Sequence, residues 1–178
     1  MTIRIGNGFD VHRFSSDPDR PLLLGGVRFD GPGLEGHSDA DVVAHAVADA
    51  LLGPAGLGDI GQVFPDTDER WRGADSMELL AESVRRVRDA GWAPVNVDCS
   101  VIAERPRLAP RKDEMQRLLS EAVGAPVTVA GRRAEGIGGL GRAEGIACLA
   151  SALIEALAPG GPVTADRAGS GTVGGAGS

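Results

Sequence analysis

His37, Asp41, His45 and Asp49 recur every four residues through the apolar stretch Val42-Val43-Ala44-His45-Ala46-Val47-Ala48 and its flanks. The spacing predicts a helix from about Ser38 to Leu52. In such a helix the four side chains form one stripe of imidazoles and carboxylates where a core helix carries apolar groups. Either the stripe faces solvent or it faces a polar site. The Asp10-Val11-His12 segment bears on that choice, because in an extended strand residues two apart turn to the same face. Neutral imidazole and carboxylate are zinc ligands, and three protein ligands with an open fourth position make a catalytic zinc site. The competing reading is that Asp10 and His12 end an exposed strand. Ser38 is placed as the helix N-cap with Asp41 in the capping-box position, which sets His37 at the helix mouth near free N–H groups.

Composition narrows the partners. The chain has 178 residues, enough for one domain with a real core. Hydrophobic residues reach 42%, aromatics only 3%, and there is no Tyr, so Val, Leu, Ile and Ala must build that core. A formal charge of -7 argues against a nucleic-acid surface, which needs Lys and Arg to neutralise phosphates. Cys99 and Cys148 are too few for a disulfide framework and are read as buried thiols in a reducing compartment. No signal peptide and no membrane span is expected, which places the protein in the cytoplasm.

Ile3 to Phe14 and Leu22 to Phe29 read as two strands, with a polar turn between them. After the helix, 53–73 is expected to be a loop rich in Gly, Asp and Pro. Ser76 to Ala90 and Arg111 to Val123 are amphipathic helices ended by Gly91 and Gly124, with Ala93 to Ala103 a strand between them. Val127 to Ala130 is a further strand, and Glu144 to Leu157 is ambiguous between helix and buried strand. Strands interleaved with helices make the chain α/β or α+β; the expectation taken forward is α+β, a mixed β-sheet packed against helices on one side. One domain covers 1–157. The tail 158–178, with seven glycines from Pro159 to Ser178, is expected to be disordered.

Seven motifs then occur in one order. They are Gly8-Phe9-Asp10-Val11-His12, His37-Ser38-Asp39-Ala40-Asp41 with His45, Asp49-Ala50-Leu51-Leu52-Gly53, Leu57-Gly58-Asp59-Ile60-Gly61, Phe64-Pro65-Asp66-Thr67-Asp68, Gly73-Ala74-Asp75-Ser76 and Gly141-Arg142-Ala143-Glu144-Gly145-Ile146-Ala147. Together they resemble the 2-C-methyl-D-erythritol 2,4-cyclodiphosphate synthases of non-mevalonate isoprenoid biosynthesis, over about residues 3 to 157. The resemblance implies a phosphorus–oxygen lyase. Its substrate is 4-diphosphocytidyl-2-C-methyl-D-erythritol 2-phosphate, whose 2-phosphate attacks the β-phosphorus and releases CMP. It further implies one zinc per subunit on Asp10, His12 and His45, and a second ion, magnesium or manganese, held by Glu135 with the diphosphate.

By the same resemblance His37 stabilises the transition state, and Ser38 adds a substrate hydrogen bond. Asp59, Ile60 and Gly61 hold the methylerythritol part, with Phe64, Asp66 and Asp68 lining that pocket. Ala103, Pro106, Arg107, Leu108 and Ala109 belong to the loop around cytosine. Arg142 lines an axial cavity able to take an isoprenoid diphosphate, in a homotrimer whose active sites lie between subunits.

One departure falls on the chemistry. Where the family has Lys-Ala-Thr-Thr-Thr-Glu, this chain has Ala130-Gly131-Arg132-Arg133-Ala134-Glu135, so Ala134 stands at a threonine assigned to transition-state stabilisation. Asn7 and Gly139-Leu140 also differ, the latter in a way that alters the axial cavity. Arg133 is expected to reach the diphosphate in place of lost hydroxyls, since guanidinium pairs with phosphate bidentately. Two alternatives remain beside the synthase. One is a diverged homologue with weak or no cyclase activity that binds a nucleotide or isoprenoid diphosphate. The other is a zinc-dependent phosphohydrolase.

Overall fold

The computed structural model describes residues 2–158; the expectation of a disordered tail falls on residues outside these, except for its first. The chain runs β1 (Ile3–Arg13), β2 (Leu22–Leu24), β3 (Val27–Phe29), α1 (Val42–Ala55), α2 (Ile60–Val63), α3 (Ser76–Asp89), β4 (Trp92–Ile102), α4 (Lys112–Val123), β5 (Val127–Arg132), α5 (Gly138–Gly141) and β6 (Gly145–Ala156). A four-stranded sheet has the order β1-β6-β4-β5, with β4 and β5 parallel and the other pairs antiparallel. The expected mixed sheet is present. Helix α1 lies on β1 and β6 and carries α3 on its other side, which is why Val42 to Leu52 are buried nearly all round.

Close approach at the sheet edge depends on glycine. A Cβ on Gly8 would overlap the Ala46 carbonyl, and one on Gly6 would overlap that of Ala50, so β1 meets α1 backbone to backbone. Gly6, Gly8, Asp10 and His12 share that strand face. The two glycines thus bring α1 down onto the strand, and the next residues along it meet His45.

Three expectations are corrected. Helix α1 begins at Val42, and Asp41 rather than Ser38 is its N-cap, accepting from the N–H groups of Val43 and Ala44 at 3.0 and 3.1 Å. His37 therefore lies in the loop before the helix, not at its mouth. Leu22 to Phe29 is not one strand but the hairpin β2–β3, turned at Gly25-Gly26, both at positive φ. The N–H groups of that turn donate to the two Asp41 carboxylate oxygens at 2.8 and 2.7 Å. The 53–73 segment contains the end of α1, all of α2 and a 3₁₀ turn at Glu69–Trp71.

The ambiguous segment resolves as β6. It pairs on both edges as the sheet's central strand, with its helix-facing residues buried. Cys99 and Cys148 are free and buried, as expected. The sheet face turned away from the helices is bare. Ile5 opposes Leu153 and Phe9 opposes Leu149 across β1 and β6, and Ile5, Phe9 and Leu149 are 72%, 58% and 46% exposed. Between these apolar rows the Ser151 hydroxyl donates to Asn7 at 2.9 Å, and Thr128 donates to Asp98. Among the described residues no helix is long and apolar enough to cross a membrane.

Candidate active site

Asp10, His12 and His45 meet where β1 passes α1. Asp10 Oδ2 is 3.0 Å from His12 Nε2 and 3.0 Å from His45 Nδ1, and the ligand atoms of all three lie within 4.8 Å of one another. The side chains are only 12–22% exposed. Burial by itself raises the Asp10 carboxyl, but hydrogen bonds and charge from His12 and His45 hold it well below the usual carboxylate range. Burial presses His12 down, and the Asp10 carboxylate more than offsets this, so the imidazole is raised above its ordinary value.

Each imidazole is oriented by its other nitrogen. His12 Nδ1 donates to the Glu35 carbonyl at 2.6 Å, which turns Nε2 toward Asp10, 3.0 Å away. His45 Nε2 is 2.9 Å from Ser76 Oγ and 3.1 Å from Ser38 Oγ, and Ser76 donates in turn to Asp39. With Nε2 facing the two hydroxyls, His45 presents Nδ1 to the Asp10 carboxylate, which accepts from it at 3.0 Å. Two histidines whose inward nitrogens meet an ionised carboxylate form a donor set that fits a divalent metal once those nitrogens give up their protons, with the backing carbonyl and hydroxyl that metal-binding histidines need. The polar stripe of α1 is explained in full. Asp41 caps the helix, His45 joins the cluster, and Asp49 accepts from the Ile60 N–H at 2.7 Å, so none of these three is a mere solvated face.

A cavity of about 160 Å³ opens beside the cluster, lined in part by His12, His37, Ser38, Ile60, Gly61, Phe64 and Asp66. Residues predicted from three separate segments therefore share one wall. His37 Nε2 is buried there without a hydrogen-bond partner. Asp59 and Asp68 are turned to local work: Asp59 caps α2 through the Gln62 N–H at 2.8 Å, and Asp68 pairs with Arg70 Nε at 2.9 Å.

A larger cavity, about 540 Å³, lies between the β4–α4 loop and the end of β5. Ala103, Pro106, Arg107, Leu108 and Ala109 line it, as do Arg132 and Arg133. The two cavities share no lining residue. Ala134 and Glu135 follow directly on the larger one, whereas His37 is in the smaller. Arg142 is exposed and pairs with Glu144 at 2.7 Å.

Sequence reasoning missed four contributors. Trp71 lines the smaller cavity with its indole N–H buried and unpartnered. Ser76 and Asp39 complete the support of His45, although both stand inside motifs already singled out. Glu104, inside the loop expected around cytosine, binds Arg133 and Ala134.

The model of the YgbB family matches residues 3–155. The chain belongs to the YgbB family. Among relatives, the 2-C-methyl-D-erythritol 2,4-cyclodiphosphate synthase of Salinibacter ruber is 53% identical, covering 86% of this chain and 99% of that one. The bifunctional enzyme IspD/IspF of Anaeromyxobacter dehalogenans is 50% identical over 85% of this chain. This YgbB-family chain spans only 40% of that relative's length. A solved Plasmodium falciparum IspF in complex with CDP superposes with a TM-score of 0.76 at 29% identity, covering 88% of this chain and 97% of the other. The resemblance read from the ordered motifs of this YgbB-family chain is therefore upheld.

Proposed function

We propose that the chain converts 4-diphosphocytidyl-2-C-methyl-D-erythritol 2-phosphate into 2-C-methyl-D-erythritol 2,4-cyclodiphosphate and CMP. The observation that carries this reading is the cluster of Asp10, His12 and His45 opening onto the cavity of His37 and Ser38, in a chain half-identical to synthases of that name. An oxygen of the 2-phosphate forms a bond to the β-phosphorus, the bond from that phosphorus to the bridging oxygen breaks, and CMP leaves with that oxygen. Zinc on Asp10, His12 and His45, and magnesium or manganese on Glu135, supply charge neutralisation and alignment of the phosphates when bound.

The protein's own groups do the rest. The unpartnered Nε2 of His37 is available to a phosphoryl oxygen in the smaller cavity, which Ser38 also lines, its hydroxyl 3.1 Å from His45 Nε2. Ile60, Gly61, Phe64 and Asp66 wall the methylerythritol part, with Asp59 and Asp68 shaping the turns that carry them. The larger cavity takes the cytidine, through Ala103, Pro106, Arg107, Leu108 and Ala109. Arg133 adds positive charge at its rim in place of the family's hydroxyls, and Arg142 lines the axial cavity.

The assembly proposed is a homotrimer with active sites between subunits. Two observations support it: the bare apolar sheet face of Ile5, Phe9 and Leu149, and the separation of His37 from Ala134 and Glu135 into different parts of one chain. A cytoplasmic location is part of the same proposal. Incubation with the family substrate and analysis of the products tests the function. CMP with a cyclic diphosphate is the expected result. Open phosphates would make the protein a hydrolase, and CDP binding with intact substrate would make it a non-catalytic binder.

A further inference from the structure

The loop that replaces the family's threonines is held by one carboxylate. Glu104 Oε2 accepts from Arg133 Nε at 3.0 Å, and Glu104 Oε1 accepts from the Ala134 N–H at 3.0 Å. Its side chain is 16% exposed, against 66% for Arg133, so the acid is the anchored member of the pair. These two bonds cross from the β4–α4 loop to the end of β5, between residues 29 and 30 positions apart in sequence.

The next residue is one of three non-glycine residues, among those described, at positive φ. Glu135 has φ 52 and Gly136 has φ 78, so a non-glycine residue occupies the left-handed region. Such a conformation persists only where its surroundings over-determine it. Two bonds to Ala134 do so here: its N–H is held by Glu104, and its carbonyl accepts from the Ile137 N–H at 2.9 Å. Among the described residues the exposed Glu135 carboxylate makes no hydrogen bond or ion pair. A lone, accessible carboxylate suits magnesium, which keeps several waters and takes one or two carboxylates plus substrate phosphate oxygens.

We propose that Glu104 is a positioning residue: by fixing Arg133 and the Ala134 N–H it sets the left-handed turn at Glu135, and so where that carboxylate stands beside the nucleotide cavity. This rests on the reading of Glu135 as the ligand of the second ion. It also explains how the loop keeps its shape without the family's threonines. The Arg133 guanidinium is tied on its Nε side to Glu104, so part of what the replacement supplies is structural.

The test uses the full-length, zinc-loaded protein, with CDP and Mg2+ as probes. Calorimetry gives the CDP affinity with and without Mg2+, and the ratio isolates the contribution of the second ion. Glu135→Ala is expected to abolish that ratio. Glu104→Ala is expected to reduce it about tenfold, the scale of a hydrogen bond to a charged group. Glu104→Gln, which keeps one acceptor for the Ala134 N–H, should recover most of it. Glu104→Ala/Glu135→Ala should add nothing to Glu135→Ala alone, because one acts through the other. If Glu104→Ala lowers only the melting temperature, or weakens CDP equally with and without Mg2+, the positioning role is overturned while the ion reading stands. If Glu135→Ala leaves the ratio intact, the ion reading itself fails and the proposal fails with it.

Discussion

His12 Nδ1 stands 2.6 Å from the Glu35 carbonyl oxygen, and that single contact decides which nitrogen of the ring faces Asp10. The carbonyl can only accept, so Nδ1 donates to it and Nε2 is the nitrogen left for Asp10 or a metal. On the other histidine the same selection is made by Ser76. The metal-binding character of the cluster is thus imposed from outside the three ligands.

His45→Ala should remove most bound zinc while leaving the far-ultraviolet circular dichroism unchanged, because the ligand set is local. Ser76→Ala should weaken zinc affinity by about tenfold, the lower end for loss of a supporting partner, since Ser38 Oγ remains 3.1 Å from His45 Nε2. Metal analysis after dialysis against graded chelator measures both. Unchanged zinc stoichiometry in His45→Ala defeats the assignment.

Asp41→Ala should destabilise the fold by about 2–4 kcal/mol in urea unfolding, from the lost helix cap together with two turn N–H groups left without their acceptor. Ser38→Ala should cost clearly less. The reverse order would restore Ser38 as the cap.

Glu82 is held down to about 2 by its hydrogen bonds to Arg85 and Arg86. A carboxylate depressed in the folded state contributes stability that is fully present above its unfolded value of 4.5 and is lost as pH falls toward 2. Glu82→Gln should therefore cost less than about 1 kcal/mol at neutral pH, given solvent screening. The difference from the parent should vanish near pH 2 and shrink in high salt. A constant difference across that range would show the ion pairs to be idle.

Phe9→Asp, on the bare sheet face, should shift the mass seen by light scattering from trimer toward monomer and lower activity with it. A monomeric parent protein, active at full rate, would remove the trimer from the proposal.

Ala134→Thr should raise the rate of CMP release more than it tightens substrate binding, because the restored hydroxyl acts mainly in the transition state. Steady-state kinetics separates the two effects. A clear fall in rate for Arg133→Thr would instead show that the arginine has taken over the hydroxyl's task.

What the sequence determined by itself is what neighbours along the chain can specify. Asp10 and His12 fall on one strand face because alternation is a property of any strand, and the Gly124 stop is a property of one backbone position. The ordered motifs likewise carried the family. Tertiary structure decided everything that rests on competition between distant groups. Asp41 displaced Ser38 as the cap because the hairpin turn at Gly25-Gly26 arrives with two further donors for the same carboxylate. The apolar run Leu22 to Phe29 broke into a hairpin at that same turn. Segment 145–156 could become a strand only once β1 and β4 stood on either side of it. Ser76 reached His45, and Glu104 reached Ala134, across 31 and 30 residues. No local pattern encodes such a contact, because a hydrogen bond depends on where two chain segments meet in space and not on how far apart they lie along the chain.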